Sequence, residues 1–312
     1  MAIINYFNCE WGGAYSGGHI FDTKLISALS NGNCVNTEGV VVKRRLGLPV
    51  WRKNVCHKDL AQLLGLNIVS HEALYELVDR ILVHCFIVHN FFCEFSFHGL
   101  GAIDLFYRTG SYEIYLKVFS SSERIMFLSS REMRLAGLMF PEYRNKFFFC
   151  PPGYNASSNP SMGVRCSDVV ELPGTADWLP KKISYFLNVR RGLPCSGELV
   201  SGEHESSYIS IIYDAFLSGF KLKLIEMARH GKSVISFTDL REELASIGFS
   251  DLPYRFVRTR AEFATALRHF QSAGDMALEL REQFLVRSAE LSWEAMAAKI
   301  VSEDVRRRLE VR

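Results

Sequence analysis

The stretch that most restricts the fold is Ser218-Gly-Phe-Lys-Leu-Lys-Leu-Ile-Glu-Met-Ala-Arg-His-Gly-Lys-Ser-Val-Ile-Ser236. It reads as a loop, a helix, a tight turn and a buried strand. Leu217, Phe220, Leu224, Met227 and Ala228 recur at helical spacing and make one apolar face. Gly231 stands where a left-handed closing residue belongs. Ser233-Val-Ile-Ser236 then has the short apolar run of a strand buried on both sides. Gly219, Lys223 and Glu226 fall on a common helix face, which sets a cation and a carboxylate side by side. A helix start attracts phosphate through its unpaired N–H groups and its dipole, and a carboxylate accepts hydroxyl hydrogen bonds. The same pattern also describes an amphipathic helix with a solvated Lys–Glu pair.

The rest of the chain repeats this alternation. Ala2 to Phe7 reads as a first strand, Asn8 to Gly18 as a glycine-rich loop, and His19 to Leu29 as a helix. That is the opening of a Rossmann-like unit, although the spacing of Gly12, Gly13, Gly17 and Gly18 is not G-x-G-x-x-G, which argues against a dinucleotide oxidoreductase. Strands are expected at Val40–Lys43, Cys85–Asn90, Arg124–Ser130 and Phe147–Gly153. Helices are expected at Lys58–Leu64, His71–Leu82, Tyr112–Phe119 and from Arg131. His89 and Asn90 close their strand on polar groups, where doubly wound sheets collect ligands. Tyr154 to Gly163, rich in Ser, Asn, Pro and Gly, reads as a linker. Beyond it Asp168–Gly174 opens the second lobe, and strands are expected at Tyr208–Tyr213 and Tyr254–Val257. A helix runs on from Thr175–Pro180 to Leu187, and others cover Arg260–Phe270, Met276–Ala289 and Ser292–Val301. Strands alternating with helices indicate parallel α/β lobes.

Composition bounds the function. The 312 residues suffice for two domains, 48% hydrophobic and 22% charged residues describe a globular chain, and a net charge of +2 gives no general affinity for polyanions such as nucleic acid. The eight cysteines are scattered without zinc-ligand spacing, so reduced thiols in a cytoplasm are expected, and the N-terminus does not read as a signal peptide. The most apolar tract, Ile81 to Phe97, is interrupted by His84, His89, Asn90 and Glu94, whereas a spanning helix needs about 20 apolar residues. Lys43 to Lys53 mixes cations with Leu and Trp; this suits peripheral contact with an anionic membrane face, but a solvated loop is the favoured reading.

Taken together, Gly219, Lys223, Leu224, Glu226, Ala228, Gly231, Val234 and Ile235 resemble the donor-binding segment of GT-B-fold glycosyltransferases of the group 1, family 4-like type. Gly17-Gly18, the Leu128-Ser129 strand end followed by Glu132, Pro151-Pro-Gly153, and Gly174, Asp177, Trp178 and Pro180 resemble further pieces of that family, with Lys181 in place of its usual Asn. The resemblance implies two Rossmann-like lobes facing a cleft: an acceptor lobe over residues 1–155, and a donor lobe over residues 164–312 whose last helix, 290–312, packs back on the first. It implies a hexosyltransferase using a nucleotide-sugar donor, no metal or other cofactor, and a glycan or lipid-linked acceptor for a surface polysaccharide. It places the enzyme in the cytoplasm, with peripheral contact at the inner face of the membrane. Glu226 would hold the ribose. Lys223 and the backbone at Gly219 would meet the diphosphate, with Gly17, Gly18 and Gly174 as further donor contacts. For an inverting enzyme the base candidates are His19, His89 and Asp22. Two features depart from the family. Ser218 stands where many retaining members carry a first, sugar-contacting glutamate, and only about 20 residues, Asn188 to Ser207, precede the Tyr208 strand. The second lobe is therefore expected to be reduced, and the alternative function is a non-catalytic GT-B-like subunit that binds a glycan, a nucleotide or a partner glycosyltransferase.

Overall fold

The computed structural model describes residues 3–10, 17–45, 48–52, 66–70, 83–88, 111–154, 166–172, 184–190, 198–201, 207–214 and 219–310. The chain divides into two compact units, Met1–Gly153 with Ser292–Arg312, and Tyr154–Leu291.

The first unit is built on a seven-stranded sheet. In chain order its elements are β1 (Ile3–Glu10), α1 (Gly17–Ser30), β2 (Cys34–Arg45), β3 (Leu48–Arg52), β4 (Leu66–Ser70), β5 (Val83–Val88), α2 (Ser111–Ser121), β6 (Ser122–Phe127), α3 (Ser130–Met139), a 3-10 turn (Pro141–Lys146) and β7 (Phe147–Phe149). The strand order is β3-β2-β1-β4-β5-β6-β7. All pairings are parallel except β2 with β3. That exception corrects the expected loop over Lys43–Lys53: the segment is largely the two arms of a β-hairpin. The expected helices Lys58–Leu64 and His71–Leu82 lie outside the described residues.

The central strands β1, β4, β5 and β6 are largely buried, as parallel strands covered by helices are. Phe7, Val69, Phe86, Val88 and Phe127 from the strands pack with Tyr115, Val118 and Phe119 of α2 and with Ala136 and Phe140 at the end of α3. Phe119 is the hub, edge-on to Phe140 at 5.1 Å and to Phe147 at 5.2 Å. Each such ring stabilises the fold by about 1.5–3 kcal/mol. Lys146 closes α2 from outside: its ammonium donates to the carbonyls of Phe119, Ser120 and Ser122 at 2.8, 3.0 and 2.8 Å. Phe119 and Ser120 stand in the last turn of α2, where carbonyls have no partner within the helix, and Ser122 opens β6. Among the described residues, Cys34, Cys85 and Cys150 form no disulfide, and burial pushes the Cys150 thiol up to about 11.

The second unit carries a smaller, wholly parallel sheet. Its elements are β8 (Cys166–Leu172), a wide π-helical turn (Phe186–Arg190), β9 (Glu198–Ser201), β10 (Ser207–Ile212), α4 (Lys223–Arg229), β11 (Ser233–Ser236), α5 (Arg241–Ser246), β12 (Tyr254–Phe256), α6 (Arg260–Ala273) and α7 (Leu278–Ala289). The strand order is β12-β11-β10-β8-β9. β9 occupies the short interval before β10 in which the sequence shows no strand. Tyr208, Ile209, Ile211, Ile235 and Val257 pack with Phe263, Ala266, Leu267 and Phe270 of α6. A complete capping box starts α6: the Thr259 side chain accepts from the Glu262 N–H, and Glu262 accepts from the Thr259 N–H.

The chain then returns to the first unit as α8 (Trp293–Glu310), which packs on α1, with Phe21 edge-on to Trp293 at 5.3 Å. Each sheet reverses its winding once, between β1 and β4 in the first unit and between β8 and β10 in the second. Ligands of doubly wound sheets collect beyond the carboxyl ends of the strands at such points.

Candidate functional site

The site assembles at the carboxyl end of β10, beside the second unit's reversal point. Every residue of β10 is buried, and the strand delivers Tyr213 and Asp214 just past its end. The Tyr213 carbonyl accepts from the Asn188 amide at 2.9 Å, and the Tyr185 ring meets Tyr213 edge-on at 5.9 Å. Burial, with smaller contributions from Asp214 and Tyr185, raises the Tyr213 phenol above its ordinary value. Asp214, 7% exposed, pairs with the Lys221 ammonium at 3.6 Å. The sequence pattern had pointed to neither member of this pair: the contact depends on the chain folding back after the strand.

Gly219 adopts φ +61°, which an L side chain rarely tolerates, and turns the backbone toward α4. The helix opens tightly, with Leu224 N–H to Lys221 O at 2.8 Å and Ile225 N–H to Leu222 O at 3.1 Å. Its regular part begins at Lys223, later than the sequence implies. Gly219 therefore precedes the helix instead of sharing a face with Lys223 and Glu226. Those two remain one turn apart and half-buried, while Leu224, Ile225, Met227 and Ala228 are buried beneath them. The Glu226 carboxylate accepts from the Tyr154 hydroxyl at 3.4 Å. Past the helix, Gly231 has φ +59°, its N–H meets Ala228 O at 2.9 Å, and Lys232 N–H meets Met227 O at 2.9 Å. Arg281 of α7 lies across Gly231 so closely that an added Cβ would stand 2.4 Å from its Cγ.

The second unit thus brings together Gly219, Lys223 and Glu226, and adds Asp214, Lys221 and Tyr154. Gly174 lies outside the described residues, as does His89, one residue beyond β5. In the first unit, Gly17 and Gly18 form the opening turn of α1 instead of loop, and His19 follows them in the helix. Asp22, on the same helix, is 1% exposed, and its carboxylate accepts from the Tyr6 hydroxyl at 2.7 Å, tying α1 to β1. Among the described residues, no helix is long and apolar enough to cross a membrane.

No protein-family model and no curated protein matches the chain. Solved structures resemble it along its length. Anabaena HepE, in complex with UDP, is 11% identical, with 97% of this chain and 99% of that chain covered and a TM-score of 0.60. Sucrose-phosphate synthase from Thermosynechococcus elongatus is 12% identical, with 100% of both chains covered and a TM-score of 0.60. An alpha,alpha-trehalose-phosphate synthase (UDP-forming) from Burkholderia vietnamiensis is 10% identical, with coverages of 97% and 99% and a TM-score of 0.56. Two Rossmann-type units with these strand orders, matched along whole chains, give the protein the fold of the GT-B glycosyltransferases.

Proposed function

We propose that this protein is a glycosyltransferase that moves a hexose from a nucleotide-sugar donor to a glycan or lipid-linked acceptor without a metal, in the cytoplasm or at the inner face of the membrane. The observation that carries the proposal is the half-buried Lys223–Glu226 pair on the opening turn of α4, beside the carboxyl end of β10. Glu226 accepts the ribose hydroxyls. Lys223 and the backbone at Gly219 meet the diphosphate, while Lys221 is paired with Asp214 in the turn just before the helix. Gly17, Gly18 and Gly174 are further donor contacts in this reading. Fixed cations and backbone donors stabilise the departing nucleoside diphosphate, which is the main electrostatic demand of the reaction. For an inverting course, His19, His89 and Asp22 are the candidates for the base. Structural neighbours support UDP as the first nucleotide to try, since Anabaena HepE was solved with UDP and with UDP-glucose.

The test is thermal shift and donor hydrolysis against UDP-, GDP-, dTDP- and CMP-sugars, with Glu226→Ala and Lys223→Ala in parallel. One nucleotide class should stabilise the wild type, and each substitution should weaken that binding by about tenfold or more, the loss expected for a charge-assisted hydrogen bond. Stabilisation by no donor, or stabilisation indifferent to both substitutions, would overturn the assignment. Binding without turnover in any acceptor mixture would favour a non-catalytic nucleotide-binding subunit.

A further inference from the structure

Tyr154 is the first residue of the second unit, and its backbone is pinned. Its N–H donates to the carbonyl of Leu291, the last residue of the same unit, at 2.7 Å. The preceding Gly153 lies so close to Trp293 that an added Cβ would stand 2.5 Å from the Trp293 Cα. The ring that projects from this fixed point is half-buried, and its hydroxyl reaches the Glu226 carboxylate at 3.4 Å. A glutamate on a half-buried helix turn has three side-chain torsions to settle, whereas a tyrosine has two and carries its donor at the end of a rigid ring. The contact therefore transmits the order of the backbone seam at Tyr154 and Leu291 to the carboxylate.

We propose that Tyr154 is a positioning residue: its phenol holds the Glu226 carboxylate in the orientation that accepts the two hydroxyls of a nucleotide ribose. The inference rests on the reading of Glu226 as the ribose acceptor and goes beyond it in naming what orients that group. A carboxylate held in place before the ligand arrives loses less freedom on binding, so removing the phenol oxygen should weaken recognition of the diol and of nothing else.

The experiment is calorimetric titration with UDP and with 2′,3′-dideoxy-UDP, which lacks both ribose hydroxyls, on wild type, Tyr154→Phe, Glu226→Ala and the double variant. Tyr154→Phe keeps the ring and its packing. It should weaken UDP roughly 3- to 10-fold, leave dideoxy-UDP affinity unchanged, and add nothing in the Glu226→Ala background. Unchanged dideoxy-UDP binding also reports that the variant is folded. Equal weakening of both ligands, or wild-type UDP affinity in Tyr154→Phe alongside a weakened Glu226→Ala, would overturn the positioning role and leave the ribose assignment standing. UDP affinity indifferent to Glu226→Ala would remove the ribose assignment, and the positioning role with it.

Discussion

Gly231 shows how one position can carry both a helix end and a packing contact. Its φ of +59° lies in the left-handed region, and Arg281 of α7 fills the space where a side chain would begin. Alanine there meets backbone strain of about 1–2 kcal/mol and must also displace the buried stem of Arg281, a residue 5% exposed that pairs with Asp275 at 3.5 Å. Gly231→Ala should therefore lower stability by about 2–4 kcal/mol in urea titration. Because Gly231 sets the end of α4, the same variant should also lose nucleotide affinity. A stability change below about 0.5 kcal/mol would show that the turn relaxes freely. The sequence made this glycine legible, since a glycine closing an apolar-periodic helix has few other reasons to be there. It hid Arg281 and Tyr154, whose contacts with Gly231 and Glu226 lie far along the chain, and Asp214, which meets Lys221 only because the chain folds back after β10. It also hid the hydrogen bond from the Tyr6 hydroxyl to Asp22, because nothing in the pattern of a glycine-rich helix start points to a partner on the preceding strand.

At the scale of elements, the long and strongly apolar segments could be read and the short ones could not. β5, β6 and β10 each carry an apolar run that reads as a buried strand, and the short β11 is legible because a helix and its closing glycine precede it. β9 is Glu-Leu-Val-Ser, with too few apolar residues to stand out, and its strand identity comes from its backbone ladder to β8. β4 and α5 are five and six residues long and fall below the length at which periodicity becomes informative. One contact between such pieces gives a pH signature. Arg287 of α7 donates to Asp251 in the turn after α5 at 2.8 and 2.9 Å, and its guanidinium lies 4.5 Å above the Phe284 ring. The hydrogen bond from Arg287 is the main reason the Asp251 carboxyl sits below its ordinary value of 3.8. A carboxyl lowered on folding contributes stability that is complete above 3.8 and disappears as the pH falls through the native value. Asp251 is 49% exposed, so screening holds the contribution under about 1 kcal/mol. Asp251→Asn should lower stability slightly at pH 7 and flatten the acid limb of the stability profile below pH 4. Parallel acid limbs in the two proteins would show that the pair adds nothing.

For the whole molecule, the telling feature is that the first unit is discontinuous in sequence and the second is not. α8 buries Trp293, Met296, Ala297 and Ile300, each 5% exposed or less, and the Gly153 N–H lies 3.4 Å from the Met296 sulfur. Burial on that scale contributes more than about 5 kcal/mol. A chain ending at Leu291 should therefore show faster amide exchange in α1 and β1, with protection in α6 and α7 kept. Equal loss in both units would mean that they unfold as a single cooperative body. The same discontinuity bears on how the protein is born. On a ribosome that adds about 5–20 residues per second, the segment that completes the first unit emerges roughly ten to thirty seconds after Gly153. The unit begun second is thus the first that can finish, and until the last helix leaves the exit tunnel the apolar face of α1 around Phe21 has no permanent cover. That interval is when a nascent-chain chaperone would find its binding surface.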